Sequence, residues 1–248
     1  MSKNYETGHA KNVANFETMI SFVTAYGAAY NPAKSAIQLV NLQAKASEAN
    51  TAINQLHTEN ANYGNAVASR ELAFAPMQKL STKILNALKA SDVTKPVIDN
   101  FQTLNRKMQG KRATAKLTEE EKAALASEGK EVNQISAAQL SYDNVLDTFD
   151  KQVTLLATIP QYAPNETELQ LATLQNLFTA LKAENIAVKN VATNLSNRRM
   201  ARNESLYNEE TGLVALASFT KNYVKSLYGT SAPQYKQISS LAFKMLVV

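Results

Sequence analysis

The chain has 248 residues and no cysteine, which excludes disulfide bonds, thiolate metal sites and a cysteine nucleophile. Seven glycines, six prolines and 45% hydrophobic residues are typical of a globular protein built from long helices, and they exclude a disordered chain. The net charge of +5 would suit RNA, an acidic protein or an anionic membrane, and it would equally suit a solvated basic face.

The first residues of the sequence are polar and lack the apolar core of a classical signal peptide. No stretch approaches the roughly 18 uninterrupted apolar residues that a membrane-spanning helix needs. We therefore expect a cytoplasmic protein.

Residues 1–10 are expected to be loose, and a first helix is predicted from about Lys11 to Tyr26. After a turn that ends at Pro32, a second helix is predicted from about Ala33 to Phe74, roughly 60 Å long at about 1.5 Å per residue. Positions three and four residues apart form one stripe along this helix, apolar at all but two steps. The stripe contains Leu39, Leu42, Ala46, Ala49, Ile53, Leu56, Asn60, Tyr63, Val67, Arg70 and Phe74.

Gly64 could end this helix, but the stripe continues through it, which favours one continuous helix. Pro76 either kinks the helix or opens a third one, which would run to about Leu88. A fourth helix is predicted to start at Thr94 and to continue to about Met108.

A polar, basic stretch from Gln109 to Lys116 is predicted to be an exposed linker. Thr118 and Glu121 fit a capping box at the start of a short helix, and a further helix is predicted for about Val132 to Thr158. After the break at Pro160 and Pro164, Asn165 and Glu168 form a second capping-box-like start.

Another long helix is predicted to follow Asn165 and Glu168, with an apolar stripe of the same kind. Its members are Leu171, Leu174, Phe178, Leu181, Asn185, Val188, Ala192, Leu195, Arg199, Arg202 and Leu206. A last main helix is predicted from Leu213 to Tyr228. The apolar run 241–248 either docks on the bundle or is an exposed end used in assembly or membrane contact.

The two long helices match without a gap at a spacing of 132 residues. Shared heptads alone could arise in any two such helices, but several matches are less generic. These are Tyr30 with Tyr162, Pro32 with Pro164, Gln38 with Gln170, Gln43 with Gln175 and Arg70 with Arg202. The pattern predicts an internal duplication.

We therefore predict an all-α fold: an elongated antiparallel helical bundle with coiled-coil-like long helices and an internal duplication. Residues 1–110 would form an N-terminal unit of a short helix, a long helix and return helices. Residues 111–130 would form a basic linker and short helix. Residues 131–248 would repeat the first unit and pack with it as one body.

No catalytic motif is present: neither a nucleophile elbow nor a glycine-rich phosphate loop occurs, and the two histidines, His9 and His57, lack metal-ligand partners. We expect no catalytic residue, no bound metal, no cofactor and no small-molecule substrate. The chain is therefore not expected to be an enzyme.

Five polar residues stand at core-type steps of the stripes and are candidate interface or register residues. They are Asn60, Arg70, Asn185, Arg199 and Arg202. The arginines either pair inside the bundle, receive another chain, or lie where the stripe turns to the surface. A candidate basic patch comprises Arg106, Lys107, Lys111, Arg112 and Lys116.

Long stripes and a duplicated unit favour a non-catalytic structural, scaffold or self-assembling protein that acts through helix–helix interfaces. Its partners would be copies of itself or other helical chains. One alternative is a membrane-active protein, since soluble pore-forming toxins of the long-helix-bundle type have a similar general architecture. The other is a nucleic-acid-binding protein that uses the basic patch and the lysine-rich C-terminal unit.

Overall fold

The computed structural model describes residues 8–111, 117–127 and 140–246, and every structural statement below concerns these residues. Within them all regular secondary structure is helical, and no β-strand occurs. The predicted all-α class is therefore confirmed.

Nine α-helices lie in the described residues: α1 (His9–Ala25), α2 (Leu39–Phe74), α3 (Met77–Lys89), α4 (Lys95–Met108), α5 (Glu119–Ser127), α6 (Tyr142–Ala157), α7 (Leu171–Tyr207), α8 (Leu213–Tyr228) and α9 (Pro233–Ser239). Three short 3-10 turns accompany them, at Gly27–Ala29, Ser35–Ile37 and Thr167–Leu169. The long helices α2 and α7 contain 36 and 37 residues.

Helix α2 is continuous through Gly64, as predicted, but it begins at Leu39 and not near Ala33. The delay has a local cause. Lys34 and Gln38 both have extended backbone and bracket a 3-10 turn, so the α-helical hydrogen-bond pattern starts only after Gln38.

Pro76 ends α2 and does not kink it, because it is the N-cap of α3. This settles the choice that the sequence left open. The predicted helix from Val132 is described only from Tyr142, since residues 128–139 lie outside the described ranges. His9, expected in a loose N-terminal stretch, is instead the first residue of α1.

The two predicted capping boxes have different outcomes. Thr118 and Glu121 form one: Glu121 N donates to Thr118 Oγ1 at 3.2 Å, and Thr118 N donates to Glu121 Oε2 at 2.7 Å. The prediction for Asn165 and Glu168 was wrong, because a 3-10 turn and an extended residue precede Leu171, where α7 begins.

The chain divides into two compact units. The first unit holds the described residues up to Gly64 together with those from Val191 onward, and the second holds those from Asn65 to Asn190. The first unit thus contains α1, the first part of α2, the last part of α7, α8 and α9. The second contains α6, the first part of α7, the last part of α2, α3, α4 and α5. Each unit draws on both halves of the chain.

Each unit has its own apolar core, formed by short helices packed on segments of the long helices. Fully buried members in the first unit include Phe16, Met19, Leu42, Leu213 and Val224. Those in the second include Ile84, Leu88, Phe101, Phe149 and Leu174. Burial of such side chains is the main favourable contribution to folding, typically about 1.5–3 kcal/mol each.

The stripe of α2 is buried at alternating spacings of four and three in its first part, and this part packs in the first unit. The buried positions are Leu42, Ala46, Ala49, Ile53 and Leu56. Burial then lapses at Asn60 and Tyr63, which are exposed, and returns at Phe74 in the second unit.

Among the described residues, no helix has both the length and the hydropathy of a membrane span.

Candidate interface and register residues

Arg70 of α2 is half-buried in the second unit and meets two neighbouring helices. Its Nη1 donates a hydrogen bond to Asn185 Oδ1 of α7 at 3.2 Å. Its guanidinium carbon lies 4.0 Å from the ring centroid of Tyr142 of α6, a cation–π contact. Tyr142 in turn packs edge-on against Phe74, with the ring centroids 5.0 Å apart. Arg70 therefore contributes to helix packing.

The amide of Asn185 links Arg70 to a carboxylate. Asn185 Nδ2 donates to Asp143 Oδ1 at 2.7 Å, and Lys189 Nζ donates to the same oxygen at 2.9 Å. These hydrogen bonds, first that of Lys189 and then that of Asn185, hold the pKa of Asp143 below its usual value. Asn185 is 3% exposed, so a buried amide connects α2, α6 and α7 through its hydrogen bonds to Arg70 and Asp143.

Arg202 of α7 holds the corresponding step in the first unit but has a different environment. It is 7% exposed, and its Nε and Nη2 both donate to Asn203 Oδ1, at 3.1 and 2.7 Å. Within the described ranges, no carboxylate forms an ion pair with Arg202. Burial lowers the pKa of Arg202; the interaction with Tyr207 opposes this shift, and the charge of Arg199 adds to it.

The other two candidate register residues, Asn60 and Arg199, are both exposed. Arg198, which precedes Arg199, bridges the long helices within the first unit, because its Nη1 donates to Gln55 Oε1 of α2 at 2.8 Å. The structure thus buries Asn185 and Arg202, half-buries Arg70, and leaves Asn60 and Arg199 at the surface.

The candidate basic patch is described only in part, since Arg112 and Lys116 lie outside the described residues. Lys107 and Lys111 are exposed, whereas Arg106 is half-buried and its Nη2 donates to Thr103 Oγ1 at 3.1 Å. Arg106 and Lys107 lie in the last turn of α4, where positive charge interacts favourably with the helix dipole.

A buried polar chain in the second unit was not predicted. Gln152 Nε2 donates to Ser81 Oγ at 2.6 Å, and Ser81 Oγ donates to Asn105 Oδ1 at 2.7 Å, which joins α6, α3 and α4. Gln152 and Ser81 are both fully buried. The available signal was the spacing of Gln152 among the apolar residues of α6, which places it on the inner face.

Two tyrosines make matching hydrogen bonds ahead of the long helices. Tyr30 Oη donates to the carbonyl oxygen of Ile37 at 2.6 Å, and Tyr162 Oη donates to that of Leu169 at 2.9 Å. Burial raises the pKa of each tyrosine to about 12. The Tyr-x-Pro pattern marked these residues in the sequence, although the hydrogen bond itself could not be read from it.

The second unit also has two open surface cavities. One, of about 470 Å³, is lined by residues that include Lys83, Asn86, Ser91, Asn165 and Glu166. The other, of about 330 Å³, is lined by residues that include Glu71, Phe74, Met77, Leu140 and Tyr142. Among the described side chains, no group of three or more histidines and carboxylates is placed to hold a metal ion.

No protein-family model, curated protein or solved structure matches the chain.

Proposed function

We propose that this is an internally duplicated, non-catalytic helical protein that acts as a scaffold or self-assembling subunit through helix–helix interfaces. Its long helices pack in a coiled-coil-like way, and its partners are copies of itself or other helical chains. A cytoplasmic location is part of the proposal. The observation that carries it is the use of the polar residues on the long helices, such as Arg70 and Asn185, to hold helices together.

The turns ahead of the long helices support the duplication. Lys34 and Glu166, which are 132 residues apart, have φ/ψ of −71°/109° and −68°/115°. Gln38 and Gln170, at the same spacing, have −65°/147° and −64°/141°. Together with the matching tyrosine hydrogen bonds, these values repeat one local structure twice in the chain.

The packing of the return helices supports it further. In the first unit, α8 packs on α9 and on the turn Ser35–Ile37, and α1 packs on α9. In the second unit, α3 packs on α4 and on the turn Thr167–Leu169, and α6 packs on α4. With α6, α3 and α4 as the counterparts of α1, α8 and α9, these three contacts of the first unit match those of the second. The contact between α1 and α8 has no match of similar extent among the described residues.

The coiled-coil-like packing is supported by the alternating four- and three-residue spacing of the buried positions on α2, and by Leu181, Asn185 and Val188 at the same kind of spacing on α7. The outer surfaces of these helices also carry large apolar side chains. Leu72 is 77% exposed, Val40 65% and Met200 60%. Such side chains offer contact area to another helical chain, although single exposed apolar residues are common.

Self-assembly is tested by light scattering and sedimentation velocity on the full chain over a wide concentration range. We expect a mass that rises above one chain with concentration, and a strictly monomeric protein at high concentration would refute the proposal. Leu72→Lys should weaken association if α2 supplies the interface, whereas Leu227→Lys, which charges an exposed position on α8, is the matched control.

The two alternative functions can be assayed on the same sample. Leakage of dye from anionic vesicles would favour a membrane-active protein. A salt-dependent mobility shift of RNA, reduced by Lys107→Gln with Lys111→Gln but not by Lys225→Gln with Lys236→Gln, would favour nucleic-acid binding through the basic patch. All four lysines are exposed, so the two double variants remove equal charge.

A further inference from the structure

The segment 241–246, which we call the strap segment, follows α9 and packs against the core of the first unit. It has no regular secondary structure. Over residues 241–244 the side chains alternate, with Leu241 and Phe243 half-buried and Ala242 and Lys244 exposed. The alternation ends there, because Met245 is exposed and Leu246 is half-buried. This period of two is typical of an extended peptide that lies with one edge in a groove.

Two asparagines of α1 bind the backbone of the strap segment. Asn12 Nδ2 donates to the carbonyl oxygen of Lys244 at 2.7 Å, and Asn12 Oδ1 accepts from Lys244 N at 3.1 Å. One turn further along α1, Asn15 Nδ2 donates to the carbonyl oxygen of Ala242 at 2.7 Å. The amide of Asn12 thus pairs with both backbone groups of one residue, as a neighbouring β-strand would.

The opposite side of the groove comes from α8. Lys221 Nζ donates to the carbonyl oxygen of Leu241 and lies 5.1 Å from the ring centroid of Phe243. A cavity of about 280 Å³, lined by Val214, Ser218, Lys221 and Phe243, adjoins the aromatic ring. The groove therefore combines hydrogen bonds to the main chain of the strap segment with a contact between Lys221 and the Phe243 ring.

The side chain of Asn12 is buried beneath the strap segment and has a further partner in α7. Asn12 is 3% exposed, and its Nδ2 also donates to Tyr207 Oη at 3.3 Å. The residue 132 positions later, Asn144, is exposed and offers a matched position in the second unit. The side chains of Asn12, Asn15 and Lys221 thus form a groove in the first unit that binds the backbone of an extended peptide.

We propose that this groove between α1 and α8 binds the strap segment of a second copy of the chain, so that two copies exchange their strap segments. The inference rests on the proposed self-assembly and names its interface. A second copy carries the same segment, so the four hydrogen bonds and the Phe243 contact are reproduced between copies without any new complementary surface. The fraction of chains that exchange strap segments then rises with protein concentration. This is because the segment of the same chain competes for the groove at an effective concentration that does not change.

The lack of cysteine makes a direct test available. Full-length Asn15→Cys and Ala242→Cys chains are mixed and oxidised, and a disulfide between them forms in higher yield than by random collision only if the strap segment of one copy lies beside α1 of the other. We expect a disulfide-linked dimer whose yield rises with concentration. Asp147→Cys, at the exposed position 132 residues after Asn15, replaces Asn15→Cys as the control and should give at least several-fold less.

A second variant checks the clamp. Adding Asn12→Ala to the Asn15→Cys chain should lower the yield of the disulfide-linked dimer several-fold. If Asn12→Ala impairs folding, Lys221→Met replaces it, since this variant removes the hydrogen bond to the Leu241 carbonyl and should also lower the yield. Adding Asn144→Ala should leave the yield unchanged.

The outcomes separate this inference from the proposed function. Oligomers seen by light scattering, with no more Asn15→Cys/Ala242→Cys product than the Asp147→Cys control, would overturn the exchange and leave self-assembly standing. A monomer at every concentration, in which the double variant Asn15→Cys with Ala242→Cys closes only within one chain, would overturn both.

Discussion

Arg70 and Arg202 stand at the same step of the two long helices, but they have different energetic roles. The Arg70 guanidinium bonds to Asn185, packs over Tyr142 and lies within the field of Asp143. Arg202 is buried with a neutral amide oxygen as its acceptor. Burying a charge without a carboxylate costs free energy that a neutral hydrogen bond offsets only in part.

This contrast predicts that replacement by methionine changes stability differently at the two positions. Arg70→Met should lower the free energy of unfolding by about 1–2 kcal/mol, since it removes a hydrogen bond and a cation–π contact. Arg202→Met should leave stability within about 1 kcal/mol of the parent or raise it, because methionine needs no counter-charge. Urea unfolding measures both, and a larger loss for Arg202→Met than for Arg70→Met would show that Arg202 has an important anionic partner.

Tyr30 and Tyr162 give stability a dependence on alkaline pH. Each has a pKa of about 12 in the folded chain, against an ordinary value of 10.0, so the folded state holds the phenolic proton more tightly. Their contribution is complete below about pH 10 and is lost as the pH rises toward about 12.

Tyr30→Phe and Tyr162→Phe should each cost about 0.5–1.5 kcal/mol at neutral pH, because a buried carbonyl loses its donor. Each should also lose less stability than the parent between about pH 9 and about pH 11. Urea unfolding at the two pH values checks this, with exposed Tyr63→Phe as the control. If a variant and the parent show equal alkaline loss, that tyrosine is not held as described.

At the scale of the element, substituting alanine for glycine should have opposite effects on stability at two positions, one inside a helix and one at a helix N-cap. Gly64 lies inside α2, and a Cβ there would meet no atom within 4 Å. Gly64→Ala should therefore stabilise the chain by about 0.5–1 kcal/mol through helix propensity. Gly212, the N-cap of α8, is different, since a Cβ would lie 2.5 Å from the backbone N and O of Asn208.

Gly212→Ala should accordingly cost about 1–3 kcal/mol, because backbone atoms must shift to relieve the contact. Thermal unfolding followed by circular dichroism compares the two variants with the parent. If Gly212→Ala is as stable as the parent, the backbone of Asn208 does not restrict the side chain at position 212 as described.

The sequence was most informative where local chemistry decides the outcome. Apolar spacing was sufficient to predict continuity of α2 through Gly64, and the Thr118–Glu121 pair identified a real capping box. The start of α2 was misjudged, because burial of Ile37 and the hydrogen bond from Tyr30 stabilise a 3-10 turn that helix propensity does not reveal.

The candidate residues show the same limit. Their position on a stripe identified Arg70, Asn185 and Arg202 as unusual, but it did not identify their partners. Tyr142 and Asp143, which contact Arg70 and Asn185, come from a helix far away in the sequence. Arg202 instead bonds to the adjacent Asn203. The asparagine clamp of α1 was also missed. Asn12 and Asn15 look like surface amides until the strap segment is placed beside them.

At the scale of the whole molecule, each compact unit is built from two separate parts of the chain. The predicted halves are residues 1–110 and 131–248, and each compact unit contains segments from both. The buried positions of α2 pack partly in the first unit and partly in the second. Neither half should therefore complete a core from its own residues alone.

Separate expression of residues 1–110 and 111–248 tests this claim most directly. We predict that each fragment alone is a monomer without a cooperative thermal transition, and that an equimolar mixture recovers the helicity and the cooperative unfolding of the intact chain, as followed by circular dichroism. A single fragment that unfolds cooperatively as a monomer would contradict the account.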